Sequence, residues 1–121
     1  MAEMQLKVLR AKIHRATVTQ AEIDYVGSIT IDQDLMDASG VLRGEVVLVA
    51  DITNAARFET YVIPGPRGSG MICINGAAAR LVDVGDQIIV MAFAYVSPEE
   101  AQKLQPSIIL VDDKNRLVRR L

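Results

Sequence analysis

The sequence predicts one small, mainly-β domain, either a barrel or a sandwich. Three observations carry that prediction. The chain has 121 residues, enough for one domain with its own core and too few for two. Half of the residues are hydrophobic, yet aromatics make up only 4% and Trp is absent, so Val, Ile, Leu and Ala must fill the core. Such side chains suit compact β structure. Finally, roughly six to eight strand-like segments alternate with turn residues.

Residues 4–19 are extended in pattern, with β-branched and long side chains and no breaker. Tyr25-Val26-Gly27-Ser28 is a tight bend, and Ser28 to Ile31 a short strand. Asp32 is placed to cap a helix over Gln33 to Ser39, with Gly40 as its stop. Glu45 to Asp51 is apolar on both faces, which marks a central strand. Asn54-Ala55 turns the chain into a strand over Arg57 to Ile63. Pro64-Gly65-Pro66-Arg67-Gly68-Ser69-Gly70 is a loop by composition and is expected to be mobile. Met71 to Ile74 is a short strand, Asn75-Gly76 a turn, and Ala77 to Leu81 one helical turn. Val84-Gly85-Asp86 leads into Gln87 to Val96, the longest strand expected. Ser97-Pro98-Glu99-Glu100 has the capping-box pattern of a helix start. Ser107 to Asp112 is the last clear strand. No repeat, linker or low-complexity segment divides the chain, and a barrel would leave no free edges.

The formal net charge is −2, and the longest basic run is Arg119-Arg120 in a tail expected to be solvated. Nucleic acid is not an expected partner. No apolar run approaches the roughly 20 residues of a membrane span. No charged stretch followed by an apolar run marks a secretory signal. The single cysteine, Cys73, excludes an intrachain disulfide, and with a single histidine, His14, a zinc cluster is implausible. A cytoplasmic protein with no metal site is the expectation.

One set of segments is more specific. Lys12-Ile13-His14-Arg15-Ala16-Thr17-Val18-Thr19 is followed by Tyr25-Val26-Gly27-Ser28-Ile29-Thr30-Ile31-Asp32. Asp51-Ile52-Thr53-Asn54, Arg57-Phe58-Glu59-Thr60-Tyr61, Arg67-Gly68-Ser69, Asn75-Gly76-Ala77-Ala78-Ala79 and Val84-Gly85-Asp86 come next. In this order and spacing the chain resembles the pyruvoyl-dependent aspartate 1-decarboxylases from about residue 7 to about residue 112. The resemblance implies a six-stranded double-psi β-barrel with short helices, assembled as a homotetramer with active sites between subunits. It implies self-cleavage between Gly27 and Ser28, giving pieces 1–27 and 28–121. It also implies a pyruvoyl group made from Ser28, which holds L-aspartate as a Schiff base. Loss of CO2 would then leave β-alanine for pantothenate synthesis. Met1 to Gln5 and the basic tail depart from the usual pattern, but neither touches the motif residues.

The implied chemistry has a physical logic. Decarboxylation leaves an electron pair on the α-carbon, and no ordinary side chain absorbs it, so a reactive carbonyl is needed. Ser28 Oγ would attack the Gly27 carbonyl carbon and convert the peptide to an ester. Loss of the Ser28 α-proton would break that ester by β-elimination, and hydrolysis of the dehydroalanine would leave the pyruvoyl group. Glycine before the serine leaves the path open and tolerates a strained bend. Gly-Ser is also a common turn dipeptide. Gly68-Ser69 is a second such pair, in a loop not expected to impose strain, so the surrounding motif selects Ser28.

Arg57 and Tyr61 lie four apart on an expected strand, hence on one face. Without the resemblance they read as a surface arginine and a core or rim tyrosine. With it, Arg57 can bind a carboxylate through two parallel hydrogen bonds, and Tyr61 is the proton donor. A phenol keeps its proton at neutral pH yet is far more acidic than a carbanion. Thr60 is implied in substrate contact and in cleavage, near the Gly27 carbonyl. Alternation points it away from Tyr61, so either a bulge or a site shared between subunits is needed. Gly76, Ala77 and Ala78 are implied in substrate contact, where small side chains let backbone N–H groups approach a carboxylate. They read equally as an ordinary helix start. Lys12 and His14 can add positive charge, with His14 secondary and more relevant to processing or site architecture than to proton transfer. Cys73 reads as a buried small apolar residue.

Two other readings compete. A non-catalytic binding module of the same barrel should have lost Ser28, Arg57 or Tyr61, and all three are present. A transcription regulator built from related β-hairpins needs a basic surface, which a net charge of −2 does not supply.

Overall fold

The structure is a computed structural model that describes residues 3–121. Met1 and Ala2, the start of the expected 1–27 piece, lie outside the described residues. The chain is mainly β. Its strands are β1 (Leu6–Thr17), β2 (Gln20–Glu22), β3 (Ser28–Asp32), β4 (Val46–Asp51), β5 (Arg57–Gly65), β6 (Ile72–Asn75), β7 (Gln87–Val96), β8 (Ser107–Val111) and β9 (Leu117–Arg120). Helices α1 (Gln33–Ser39) and α2 (Pro98–Lys103) and a 3-10 helix (Gly76–Leu81) join them. The strands hydrogen-bond in the order β2-β6-β3-β5-β4-β7-β1-β8-β9. β4 is central, as its two apolar faces predict. Among the described residues no helix is long and apolar enough to cross a membrane.

Local signals worked where a cap or turn set the boundary. The Asp32 side chain accepts from Asp34 N at the start of α1, and Gly40 ends it at φ 86° with its N–H on Met36 O. Ser97 and Glu100 form the complete capping box of α2.

Four expectations are corrected. β2 and β9 are strands of three and four residues that the pattern does not reveal. Each is held by a single neighbour, β6 or β8, rather than by its own periodicity. β9 includes Arg119 and Arg120, so the exposed tail is a paired edge strand. The longest strand is β1, with 12 residues, not β7, with 10. β1 keeps its pairing with β7 across two register shifts, one of them at Arg15 with φ 65°, and such bulges let a long strand bend. Finally, β5 continues through Pro64 and Gly65, because both still pair with β3.

The 64–70 segment is also held rather than loose. One Asp32 carboxylate oxygen accepts from Gly68 N at 3.0 Å and the other from Gly70 N at 2.8 Å. Asn115 Nδ2 donates to Gly70 O at 2.7 Å. A buried carboxylate that caps α1 therefore also pins this loop.

The core is aliphatic, as composition requires. Ile13, Ile29, Ile31, Ile72, Ile74 and Ile88 are fully buried, together with Val18, Val47, Val49 and Val62. β3 lies parallel to β5 on one side and antiparallel to β6 on the other. Its position between these two neighbours fixes the surroundings of Ser28.

Candidate active site around Gly27 and Ser28

The chain changes character abruptly at the Gly27–Ser28 bond. Tyr25 and Val26 are exposed, at 64% and 82%, in the turn before β3. Ser28 is only 3% exposed and pairs with Asn75 across the β3·β6 ladder. The same ladder pairs Ile29 with Ile74 and Thr30 with Cys73. Since partners in a ladder share a face, Ser28, Thr30, Cys73 and Asn75 lie together, opposite the core isoleucines.

These four side chains form one hydrogen-bonded group. Asn75 Nδ2 donates to Ser28 Oγ at 2.9 Å and to Thr30 Oγ1 at 3.1 Å. Cys73 Sγ donates to Asn75 Oδ1 at 3.2 Å. The Ser28 hydroxyl itself has the Val26 carbonyl at 3.5 Å, at the limit of a hydrogen bond. The site thus holds a buried serine hydroxyl whose oxygen receives an amide donor. Sequence reading had Asn75 only as a turn residue and missed this contact. An Asn-Gly pair carries no local sign of a partner 47 residues away.

Glycine is required at a different position from the one expected. Gly27 lies outside the left-handed region, and a Cβ built on it would meet only Asn75 O, at 4.0 Å. Gly76 has φ 79°, and a Cβ there would lie 2.6 Å from Gly27 Cα and 2.9 Å from Gly27 N. The backbone of Gly76 is therefore pressed directly against the residue whose carbonyl would be attacked. Gly76→Ala is expected to push Gly27 out of line and to slow chain cleavage by roughly 10²-fold, the usual cost of about 1 Å of misplacement. A denaturing gel of freshly made protein reads this out, and cleavage at the wild-type rate would remove Gly76 from the role.

The remaining expected residues fall into two groups. The β3·β5 register pairs Ile29 with Val62. One step earlier on each strand lie Ser28 and Tyr61, and two steps earlier Gly27 and Thr60. Neither β3·β5 nor β4·β5 has a register shift, so no bulge brings Thr60 and Tyr61 to one face. Tyr61 shares the face of Ser28, and Thr60 the opposite one. Arg57 and Tyr61 are both exposed on the same side of β5. Ala77 is exposed and Ala78 half-buried in the 3-10 helix that starts beside Gly27. Lys12 and His14 stand apart, on β1, with β5, β4 and β7 between them and β3. His14 is pushed down by burial first and by the charges of Lys12 and Arg15 next, and its Nδ1 is buried without a partner.

The face that carries Arg57 and Tyr61 also carries Glu59 and Val46, which line a shallow groove of mixed character. Lys7, Leu48, Phe93 and Tyr95 also line it. Val46 and Tyr95 are more than half exposed. Lys7 Nζ lies 4.6 Å from the centre of the Phe93 ring.

The fold and site define a mainly-β protein that buries a serine hydroxyl, with an amide donor on it, at the end of a glycine turn. Comparison with known proteins gives that class a family. The sequence model described as aspartate decarboxylase matches residues 4–118, and the chain belongs to that family. The protein named aspartate 1-decarboxylase in Lactiplantibacillus plantarum is 59% identical over 98% of this chain and 91% of its own length. Relatives with the same name in Caldicellulosiruptor saccharolyticus and Ruminiclostridium cellulolyticum are 58% and 56% identical, over 96% and 97% of this chain and 91% of each relative.

Proposed function

We propose that the protein decarboxylates L-aspartate to β-alanine and CO2, after cutting its own chain between Gly27 and Ser28. The observation that carries this reading is the buried Ser28 hydroxyl, held by Asn75 beside a glycine that Gly76 presses into place. Membership in the aspartate decarboxylase family supports the substrate. On this reading the working protein is made of pieces 1–27 and 28–121, and it works in the cytoplasm as a β-alanine source. The same family membership supports a six-stranded double-psi barrel within the nine-stranded sheet.

The residues present fit a pyruvoyl group. Its precursor, Ser28, is buried with an amide donor on its hydroxyl, and Gly76, with no Cβ, lets the chain pack closely against Gly27 beside it. When formed, the group supplies the electron sink that decarboxylation needs. The chain's own residues bind and orient the substrate around it. Thr60, level with Gly27, is suited to touch the carbonyl of the cut bond. Tyr61, level with Ser28 and on its face, is suited to give a proton to the carbon that loses CO2. Backbone N–H groups at Gly76, Ala77 and Ala78 can approach a substrate carboxylate closely.

Lys12 and Arg57 complete the site in an assembly of more than one copy. Lys12 lies on β1, with three strands between it and β3 in the hydrogen-bonded order. Val46 and Tyr61, paired across β4·β5 and both exposed, give this face large side chains that a second copy could cover. Both features support a homotetramer with active sites between subunits.

The test is direct. Two bands on a denaturing gel, with the new break after Gly27, and β-alanine formed from aspartate are the expected results. An intact chain, or a cleaved chain inert toward aspartate, would overturn the proposal.

Arg57 has a further expected role. L-Aspartate offers two carboxylates, and only the α-carboxylate leaves. A cation gripping the leaving group would stabilise the ground state while its charge drains away, which slows the reaction. Arg57, aided by Lys12, therefore binds the retained side-chain carboxylate. A charge-assisted hydrogen bond is worth about 1.5–3 kcal/mol. Arg57→Ala is accordingly expected to lose roughly 10- to 150-fold of the preference for aspartate over asparagine. Undiminished preference would refute this, as would a complex with a non-decarboxylating aspartate analogue whose α-carboxylate sits on Arg57.

A further inference from the structure

The Asn75 carboxamide has two possible orientations, and the hydroxyls around it do not choose between them. Ser28 and Thr30 can each accept from an NH2 group or donate to a carbonyl oxygen. The third neighbour does choose. A thiol is a weak donor and a weak acceptor, and Cys73 Sγ lies 3.2 Å from Asn75 Oδ1. Flipping the amide would set NH2 against sulfur and lose the donor that the carbonyl now receives. Cys73 is 4% exposed and Asn75 equally buried, so no bulk water replaces that donor.

We infer that Cys73 is a positioning residue for the self-cleavage, its thiol hydrogen holding the Asn75 amide with its NH2 group toward Ser28 Oγ. This rests on the reading of Gly27–Ser28 as the cleaved bond. Oγ carries negative charge at two points of that reaction. It does so first as the hydroxyl proton passes to the Ser28 nitrogen, the Oγ–C bond to Gly27 forms and the C–N bond breaks. It does so again when the α-proton passes to a base, its electron pair forms the Cα=Cβ bond and the Cβ–Oγ bond breaks, leaving Oγ in the Gly27 carboxylate. An N–H donor on Oγ stabilises both. A flipped carbonyl would instead hold the Ser28 hydroxyl hydrogen and stabilise neither. Burial, with the Glu22 charge adding to it, pushes the Cys73 thiol up, so it keeps its proton at neutral pH and remains a donor.

Three variants test the idea by the rate at which full-length chain turns into two pieces. Cys73→Ala removes the donor, Cys73→Val removes it while filling the space, and Cys73→Ser replaces it with a hydroxyl. A neutral hydrogen bond is worth enough to change a rate by roughly 2- to 12-fold. Cys73→Ala and Cys73→Val are expected to cleave more slowly by about that factor, and Cys73→Ser, whose hydroxyl can donate to the carbonyl but also accept from the NH2 group, to cleave at a rate between theirs and that of wild type. Thermal unfolding of each full-length variant separates slow chemistry from poor folding. Equal rates in all four proteins, or Ser as slow as Ala at equal thermal stability, would overturn the positioning role alone. A wild-type chain that never cleaves would overturn the cleavage reading and this inference with it.

Discussion

Ser28→Ala is expected to fold, to stay full-length and to form no β-alanine. The change removes one oxygen from a buried site and leaves every backbone pair of β3 in place, so the fold should survive. Burying Asn75 Nδ2 with only Thr30 as partner costs about 1–3 kcal/mol at most, which a melting curve would register as a modest shift. Chemistry, by contrast, is expected to end, because the substitution removes the oxygen that would attack the Gly27 carbonyl. Two fragments from Ser28→Ala would sink the assignment of the cut. Ser69→Ala is the matched control and is expected to cleave like wild type. Ser69 Oγ donates to Pro66 O at 2.6 Å in a loop pinned by Asp32, so it is already committed to a local turn.

Tyr61→Phe should cleave normally and then turn over aspartate roughly 10²- to 10⁴-fold more slowly, the range for loss of a positioned proton donor. The substitution keeps the ring and removes only the hydroxyl. Tyr61 is 39% exposed on the outer face of β5, so its loss should barely change stability. The separation of effects is the informative part. A gel reads the cut and an assay of β-alanine reads the turnover. Near wild-type turnover would exclude Tyr61 as the donor, and failure to cleave would tie it to processing instead.

The candidate site residues are proposed from a pattern in the sequence: Gly27-Ser28, Arg57, Thr60, Tyr61 and the Gly76-Ala77-Ala78 segment, taken in their order. Their grouping is not legible in that pattern. Sequence alternation separates Thr60 from Tyr61 and leaves either a bulge or a site shared between subunits as the remedy, and the β3·β5 and β4·β5 registers show no bulge. Asn75 and Cys73 looked like a turn residue and a core residue, and they join Ser28 in one hydrogen-bonded group.

By itself the sequence determined the mainly-β class, the caps of both α-helices, the aliphatic core and the serine to test. These depend on each residue's own backbone preference, its neighbours within a turn and its hydrophobicity, all of which are written locally. Only the tertiary structure decided that Gly76 bears on Gly27, that Asp32 pins the Gly68–Gly70 loop, and that Asn75 serves Ser28. Each of these joins residues more than 30 positions apart. Such contacts arise when strand pairing brings distant segments together, and the alternation within one strand sets which face is buried but not which other strand it meets.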